Sequence, residues 1–427
     1  MTGENRFDKS TNINYTLFMQ GKNKPLIRYL DSAIASVIKR RYSCLILGPR
    51  QTGKTTLVNA RLEGVKNTMT YLLQDPSLRI ELERSPSRII GQVRAAKKDP
   101  CVFIDEAQRV PSIFDAVQML IDGKIAHFII TGLSAMKLKR HGANLIPGRI
   151  KRFHLDPLLW GELGLLKGCT IKELFMDNVN RNVPYTIEDL LIYGSLPGIV
   201  TMPRSQRPDF LKAYAEIYLE EEIRAEALSR KIGAFSRFLE LAAVESGTSP
   251  NLHKLSNESG VSQPSVKEFY NILEDTLVVE RVEPYMKNAR KRILSSSKYY
   301  FFDIGVRNIL ARFPIAPDLV NTQKGTLFEH AVMLEIVRRV KTLNRHYKVC
   351  YWRTSAGAEV DCVVDMGSRV IPVEIKGSSF VAPSEIKGLS SFLNDYRRVA
   401  KHGYVITMGG RIEALADNIT AIPWSHL

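Results

Sequence analysis

Three sets of residues in this chain have the types and spacing that phosphate chemistry needs. Gly48, four residues, then Gly53, Lys54 and Thr55 directly follow the apolar run Ser43–Leu47. Glycines there let backbone N–H groups turn inward around phosphate oxygens, and a following helix offers its positive end. Lys54 would reach the β- and γ-phosphates of a nucleoside triphosphate such as ATP, and Thr55 would hold Mg²⁺; Pro49, Arg50, Gln51, Thr52 and Thr56 complete the contact set. A second apolar run, CVFIDEAQ, ends in Asp105 and Glu106. Asp105 fits the metal partner of the loop threonine, and Glu106 fits a base that orients an attacking water. The third set lies near the C-terminus: Asp361 in GAEVDCVVD, and Glu374 with Lys376 in IPVEIKGS.

Alternation of these charged residues with apolar neighbours describes, by itself, only the wet face of a half-buried strand. The intervening DMGSR sharpens it, because Gly367 and Ser368 form a two-residue hairpin loop with glycine first, making Met366 and Arg369 opposite partners. Counting outward pairs Asp361 with Glu374 and Glu359 with Lys376 on one face. The other face then pairs Val360 with Ile375, Cys362 with Val373 and Val364 with Ile371, and a slip of one residue would mix the two faces. Opposite residues bring their Cβ atoms within roughly 4.5–5.5 Å, so two carboxylates placed this way repel. A hard divalent cation, Mg²⁺ or Mn²⁺, held by Asp361 and Glu374 removes that cost and activates water against a phosphodiester. Lys376 would orient that water or stabilise developing charge. Glu329 is a third carboxylate, on a helical stripe with Met333, Ile336 and Val340. It either joins the others, since an unpaired buried carboxylate is costly, or meets its helix dipole as a first-turn acid.

Beyond the Asp-Glu strand, HFIITGLS offers Thr131 and Ser134 as sensors of the γ-phosphate at the tip of a neighbouring strand. Further on, Arg149 in IPGRIKRFHLDPL is the candidate arginine finger or in-domain phosphate sensor.

These groups need a framework, and the chain is long enough to supply several. Its 427 residues predict two or three domains, and a hydrophobic fraction of 44% is that of a globular protein. A helix is expected over Lys24 to Arg41, and buried strands over Ser43–Leu47, Met69–Leu73, Cys101–Ile104 and His127–Ile130, alternating with helices as in a parallel sheet. Helices dominate from Pro208 to Glu283, and strands return from Tyr299, with Ser295 to Lys298 read as a short polar linker. Five cysteines without a CxxC pair indicate neither a disulfide framework nor a zinc site. No stretch approaches the roughly 18 apolar residues of a membrane span, and the N-terminus lacks the apolar core of a secretion signal, so a cytoplasmic protein without membrane partners is expected.

Lys and Arg number 60 against 44 Asp and Glu, a surplus of +16 that attracts polyanions, with DNA favoured as partner. Basic clusters fall at Lys137 to His141, at Lys287 to Arg292, and at Arg397, Arg398 and Lys401. In the middle segment Asn251 caps one helix, Gly260 ends it, and Ser262 with Pro264 opens the next, a helix-turn-helix signature. The second helix would present Gln263, Ser265, Lys267 and Glu268 to a groove, with Lys287 to Arg292 as a basic wing. The same fold also serves as a packing module between domains.

GPRQTGKTTL, IDEAQ, TGLS and PGRIKRFHLDPLLWGEL together resemble the AAA-type P-loop ATPases of bacteria and archaea that carry a C-terminal domain of unknown function. The family commonly shows Gly-Ser-Ser after the sensor threonine, whereas here the run is Gly132, Leu133, Ser134. Glu329, Asp361, Glu374 and Lys376 look like the helix carboxylate, Asp and Glu-x-Lys of the restriction-endonuclease-like fold, in which that family typically ends. The resemblance implies a polar tail over 1–22, a P-loop NTPase domain over 23–205 with a parallel sheet and helices on both faces, a helical and winged-helix segment over 206–297, and an endonuclease-like α/β domain over 298–427. It further implies homo-oligomers whose sites take an arginine from a neighbour. The function expected is a Mg²⁺-dependent ATPase acting on nucleic acid, coupled to a metal-dependent nuclease; the alternative is an ATP-driven switch that binds DNA or protein without cutting.

Overall fold

The computed structural model describes residues 26–96, 99–133, 148–180, 182–215, 232–286, 296–343 and 346–427. The N-terminal tail, Ser134, and the clusters Lys137 to His141 and Lys287 to Arg292 lie outside the described residues.

Five parallel strands form the first sheet: β1 (Ser43–Leu47), β2 (Thr68–Leu72), β3 (Cys101–Asp105), β4 (His127–Gly132) and β5 (Ile150–His154), in spatial order β2-β3-β4-β1-β5. Helices α1 (Leu30–Lys39), α2 (Lys54–Leu62), α3 (Pro76–Arg84), α4 (Arg88–Ala95) and α5 (Ile113–Asp122) accompany them. Strands β1, β3 and β4 are mostly apolar and wholly buried, as a parallel sheet covered on both faces requires. Three expectations change. Strand β2 is an edge strand in which only Tyr71 is buried. Strand β5 was hidden by Lys151 and Arg152, which point to solvent from the opposite edge. The first helix starts at Leu30 rather than Lys24, because the Asp31 carboxylate accepts the Arg28 N–H at 2.7 Å and fixes the entry turn.

After β5 come α6 (Ile187–Tyr193), α7 (Pro197–Val200), α8 (Arg207–Ala213), α9 (Ile232–Val244), α10 (Leu252–Ser259) and α11 (Gln263–Asp275). Next are β6 (Val279–Pro284), β7 (Lys298–Phe301), α12 (Ile304–Leu310), α13 (Asp318–Thr342), β8 (Lys348–Arg353), β9 (Glu359–Asp365) and β10 (Val370–Lys376). The chain closes with α14 (Lys387–Asp395), β11 (Gly403–Thr407), β12 (Glu413–Ala416) and β13 (Ile419–Pro423). The expected caps are present: Asn251 accepts from Lys254 N–H at 3.0 Å, Gly260 is left-handed with φ 72°, and Ser262 accepts from Ser265 N–H at 3.4 Å.

A second, mixed sheet runs in the order β12-β13-β11-β10-β9-β8-β6-β7. Its β6 and β7 come from the middle of the chain, so the middle segment and the C-terminal region share one sheet. Ser297 and Lys298 are therefore not linker: both are buried, and Lys298 is the first residue of β7. Apolar packing also divides the chain earlier than residue 205. Leu155 belongs to the core of the first sheet, whereas Leu158, Trp160 and Leu163 join the large core that reaches Leu427. Helix α13 runs through that core and packs on both β10 and β5.

Candidate functional site

Strand β1 ends where the phosphate loop begins. A Cβ on Gly48 would fall 2.1 Å from the Leu155 carbonyl oxygen, so only glycine fits; Gly53 has φ 90° and Gln51 φ 58°, and α2 starts at Lys54. Lys54 Nζ donates to the Gly48 and Pro49 carbonyls at 2.8 Å each, and Thr52 Oγ1 donates to Pro49 at 2.9 Å. Thr55 Oγ1 lies 3.0 Å from both Asp105 carboxylate oxygens, which sit at the tip of β3. Thr131, at the tip of β4, donates through Oγ1 to Asp105 and accepts the Glu106 N–H at 3.1 Å. One hydroxyl therefore touches both acidic residues. Burial pushes the Asp105 carboxyl up, offset by its hydrogen bonds to Thr131 and Thr55.

Glu106 holds a left-handed backbone, φ 58°, at the start of a short 3₁₀ turn, a strained placement that re-aims its side chain. Gln108 Nε2 donates to Glu106 at 2.6 Å, while the Gln108 carbonyl end accepts Leu133 N–H at 3.3 Å. Leu133 is fully buried, and its carbonyl accepts Gly48 N–H at 3.0 Å. The leucine that departs from the family pattern thus works through its backbone, tying β4 to the loop. Sequence reasoning passed over Gln108, although its place two residues after Glu106 was the available signal.

Arg28 was also missed. Its guanidinium is buried and donates to Thr52 O and Asp156 O at 2.7 Å each, and its Nε stands 3.0 Å from Glu162. Asp156 follows β5 and faces Lys341 of α13 at 3.9 Å, and Lys341 also pairs with Glu280. Lys341 and His154 are among the charges that hold the Asp156 carboxyl below its usual range against burial. Nearby, a Cβ on Gly53 would lie 4.0 Å from Pro197, and Ser195, two residues before that proline, accepts from Arg338 of α13 at 2.9 Å. The phosphate loop therefore reaches α13 by two routes.

Arg149 does not reach the phosphates of its own loop. It precedes Ile150, which pairs with Ser43 at the start of β1, a strand's length of roughly 16 Å from the loop, and its guanidinium pairs with Asp122. Thr56 lies exposed on α2.

The C-terminal carboxylates gather where α13, β7, β9 and β10 meet. The hairpin register is as counted: Ile371 pairs with Val364 and Val373 with Cys362, with Gly367 at φ 84° in the turn. Past Val373 the ladder gives way to a side chain, because Asp361 Oδ2 accepts Ile375 N–H at 2.8 Å. Lys376 Nζ holds Glu374 Oε1 at 2.8 Å rather than meeting Glu359. Glu359 is taken instead by Lys298 of β7 at 2.7 Å, and Lys298 also stands 3.9 Å from Glu329. Tyr300, on the same strand, donates to Glu329 at 3.3 Å. Glu329 thus turns toward the cluster, away from a purely dipolar role. Burial first, then the Asp361 charge, pushes Glu329 up to about 7 and Glu374 up to about 8.

A metal's fit to these residues can be judged from their oxygens. Glu374 Oε2 is buried without a hydrogen-bond partner, an orphan that a hard cation would satisfy. Among the described residues, however, no three His, Cys, Asp or Glu side chains already close around one point as metal ligands. The donor chemistry fits, but the carboxylates are held by lysines. On α11, Gln263, Lys267 and Glu268 are exposed and Ser265 half-buried, so that face is open as expected. Among the described residues no helix is long and apolar enough to cross a membrane.

Residues 40–164 match the profile of a family described as an AAA domain. Residues 185–315 and 324–427 match two families described as domains of unknown function, DUF8612 and DUF4143. Uncharacterized proteins of Mycobacterium bovis and Mycobacterium tuberculosis are each 26% identical over 406 residues, 93% of this chain and 84% of theirs. Among solved structures, the replication initiator DnaA bound to AMPPCP and single-stranded DNA aligns with TM-score 0.29 and 12% identity, over 62% of this chain and 93% of that one. A DNA polymerase III gamma subunit-related protein from Thermotoga maritima aligns with TM-score 0.26 and 10% identity, over 73% of this chain and 99% of that one. The five-stranded sheet with its glycine loop lies within the residues that match the AAA domain.

Proposed function

We propose that the protein is an ATP hydrolase whose nucleotide state is coupled through α13 to a nuclease-like, nucleic-acid-directed site in the C-terminal sheet. What carries the ATPase reading is the position of Thr55 Oγ1, 3.0 Å from both oxygens of Asp105, with Thr131 bridging Asp105 and Glu106. Lys54 exchanges the loop carbonyls for phosphate oxygens, while Thr55 and Asp105 are the residues that hold Mg²⁺ and Glu106, steadied by Gln108, orients the attacking water. Mg²⁺ supplies neutralisation of phosphate charge.

The helices α9 to α11 with the β6–β7 pair read as a winged-helix segment presenting Gln263, Ser265, Lys267 and Glu268 to DNA. The C-terminal sheet reads as restriction-endonuclease-like, with Asp361 and Glu374 as cation ligands, Glu329 supporting them, and Lys376 orienting water. A hard divalent cation bound there supplies an activated water and offsets charge on the phosphodiester. Support comes from the three raised, mutually repelling carboxyls and the orphaned Glu374 oxygen. The lysine-held carboxylates favour one other reading, a nucleotide switch that binds DNA or a protein without cutting.

Phosphate release with and without DNA, alongside cleavage of plasmid and single-stranded DNA in Mn²⁺, tests both readings. Expected are DNA-stimulated hydrolysis lost in Glu106→Gln, and cutting lost in Asp361→Ala. Cutting unchanged by Asp361→Ala overturns the site assignment, and absence of cutting on every DNA form leaves the switch.

A further inference from the structure

The residue that best explains why the carboxylates are not drawn around one point is a cation the chain already carries. Lys298 stands at the first position of β7, in the strand pair contributed by the middle segment, yet its side chain ends among acids from two other elements. Nζ is 2.7 Å from Glu359 of β9 and 3.9 Å from Glu329 of α13, and it lies in the field of Asp361. Its stem is buried, and the ammonium sits 5.2 Å from the Tyr351 ring, so little water screens it. Burial alone would drive a lysine toward its neutral form; the neighbouring carboxylates outweigh that and keep its pKa raised. Lys376 serves the other side of the cluster through Glu374 Oε1, which leaves Glu374 Oε2 buried and unpartnered. The cluster therefore has one seat held by an ammonium and one oxygen still without a donor.

We infer that Lys298 is the resident cation of this cluster and opposes a divalent metal at Asp361 and Glu374, by its own charge and by the hold it keeps on Glu329 and Glu359. This rests on the metal-site reading of Asp361 and Glu374 given above. Lys298 is then a positioning residue: it holds the acids apart while no metal is bound, and it lowers metal affinity by repulsion. Because Lys298 belongs to β7, metal loading depends on how the β6–β7 pair sits against β9 and α13. A purely structural lysine would behave oppositely, since losing it would loosen the carboxylates and weaken any metal site.

The test is Mn²⁺ binding to nucleotide-free full-length protein, followed by titration calorimetry and by the Mn²⁺ paramagnetic resonance signal. The variants are Lys298→Met, Lys298→Gln, Lys298→Arg and Asp361→Asn, with thermal melting as the check of folding. A unit charge about 7 Å from a divalent ion in water-like surroundings changes affinity roughly tenfold, and more where the dielectric is lower. Lys298→Met and Lys298→Gln are therefore expected to tighten Mn²⁺ binding by about tenfold or more. Lys298→Arg should stay near wild type, and Asp361→Asn should abolish binding. Weaker or unchanged binding in folded Lys298→Met and Lys298→Gln overturns the inference while leaving the metal site standing, provided Asp361→Asn still abolishes it. Binding that Asp361→Asn does not affect, or no binding in any variant, overturns both.

Discussion

The phosphate loop and the C-terminal carboxylates hold their charged groups in different ways. Around the loop, neutral partners do the holding: carbonyls for Lys54, hydroxyls for Thr55 and Thr131 against Asp105, an amide for Glu106. In the C-terminal sheet, opposite charges do it: Lys298 on Glu359 and Glu329, Lys376 on Glu374. On the proposed reading, neutral dipoles would be exchanged for a triphosphate and its Mg²⁺ at little electrostatic cost. On the same reading, ion pairs would have to be broken before a cation could enter the second site, so its own lysines would oppose metal binding.

The sharpest way to break the contrast is Glu106→Gln, which keeps the hydrogen-bonding shape of the first site and removes its base. ATP turnover is expected to fall by about 10²–10⁴ with fluorescent-nucleotide binding retained. Lost binding would mean that Glu106 shapes the loop rather than orienting water. At the second site, Asp361→Ala is expected to lower any Mn²⁺-dependent cleavage at least about 100-fold, with ATP turnover unchanged.

Helix α13 joins the two regions, and cutting the joint sharpens the comparison further. Glu329 and Lys341 lie twelve residues apart on this helix, about 18 Å at the helical rise. Lys341→Met removes the contact to Asp156 and Glu280 while leaving both sets of reacting residues in place. Any effect of a non-hydrolysable ATP analogue on the C-terminal site, read as DNA affinity or cleavage, is expected to shrink from severalfold to near none. An analogue effect of wild-type size in this variant would place the coupling elsewhere.

The smallest expected effect is on pH. Glu374 is raised from 4.5 to about 8 in the folded protein, so its contribution to stability is complete below 4.5 and is lost as pH rises through 8. One such proton gives a slope of at most about 1.4 kcal/mol per pH unit in that window. Removing the Asp361 charge lowers the Glu374 value, so chemical denaturation of Asp361→Asn should show a flatter profile than wild type between these limits. Parallel profiles would mean that the two carboxylates do not interact.

Much of this was written locally. The glycine spacing, the Asp-Glu strand end, the Asn251, Gly260 and Ser262 caps and the Gly367-Ser368 turn each depend on neighbours within a few residues. The hairpin register followed because a two-residue loop leaves one pairing that keeps Val360, Cys362 and Val364 on a common face. Strand β5 escaped because two consecutive basic residues mask an edge strand, and the linker reading of Ser295 to Lys298 failed because four polar residues say nothing about what packs over them.

The sequence by itself determined which backbone could cradle phosphate and which carboxylates shared a strand face, since turn chemistry and the twofold strand period act over short range. Tertiary structure alone decided which cations meet those groups. Arg28 reaches Thr52 and Asp156 across the fold, Lys341 faces Asp156, and Lys298 meets Glu329 and Glu359. No periodicity announces such meetings, because a buried charge finds its partner through packing of distant elements, and the cost of leaving it unpaired then holds that arrangement in place.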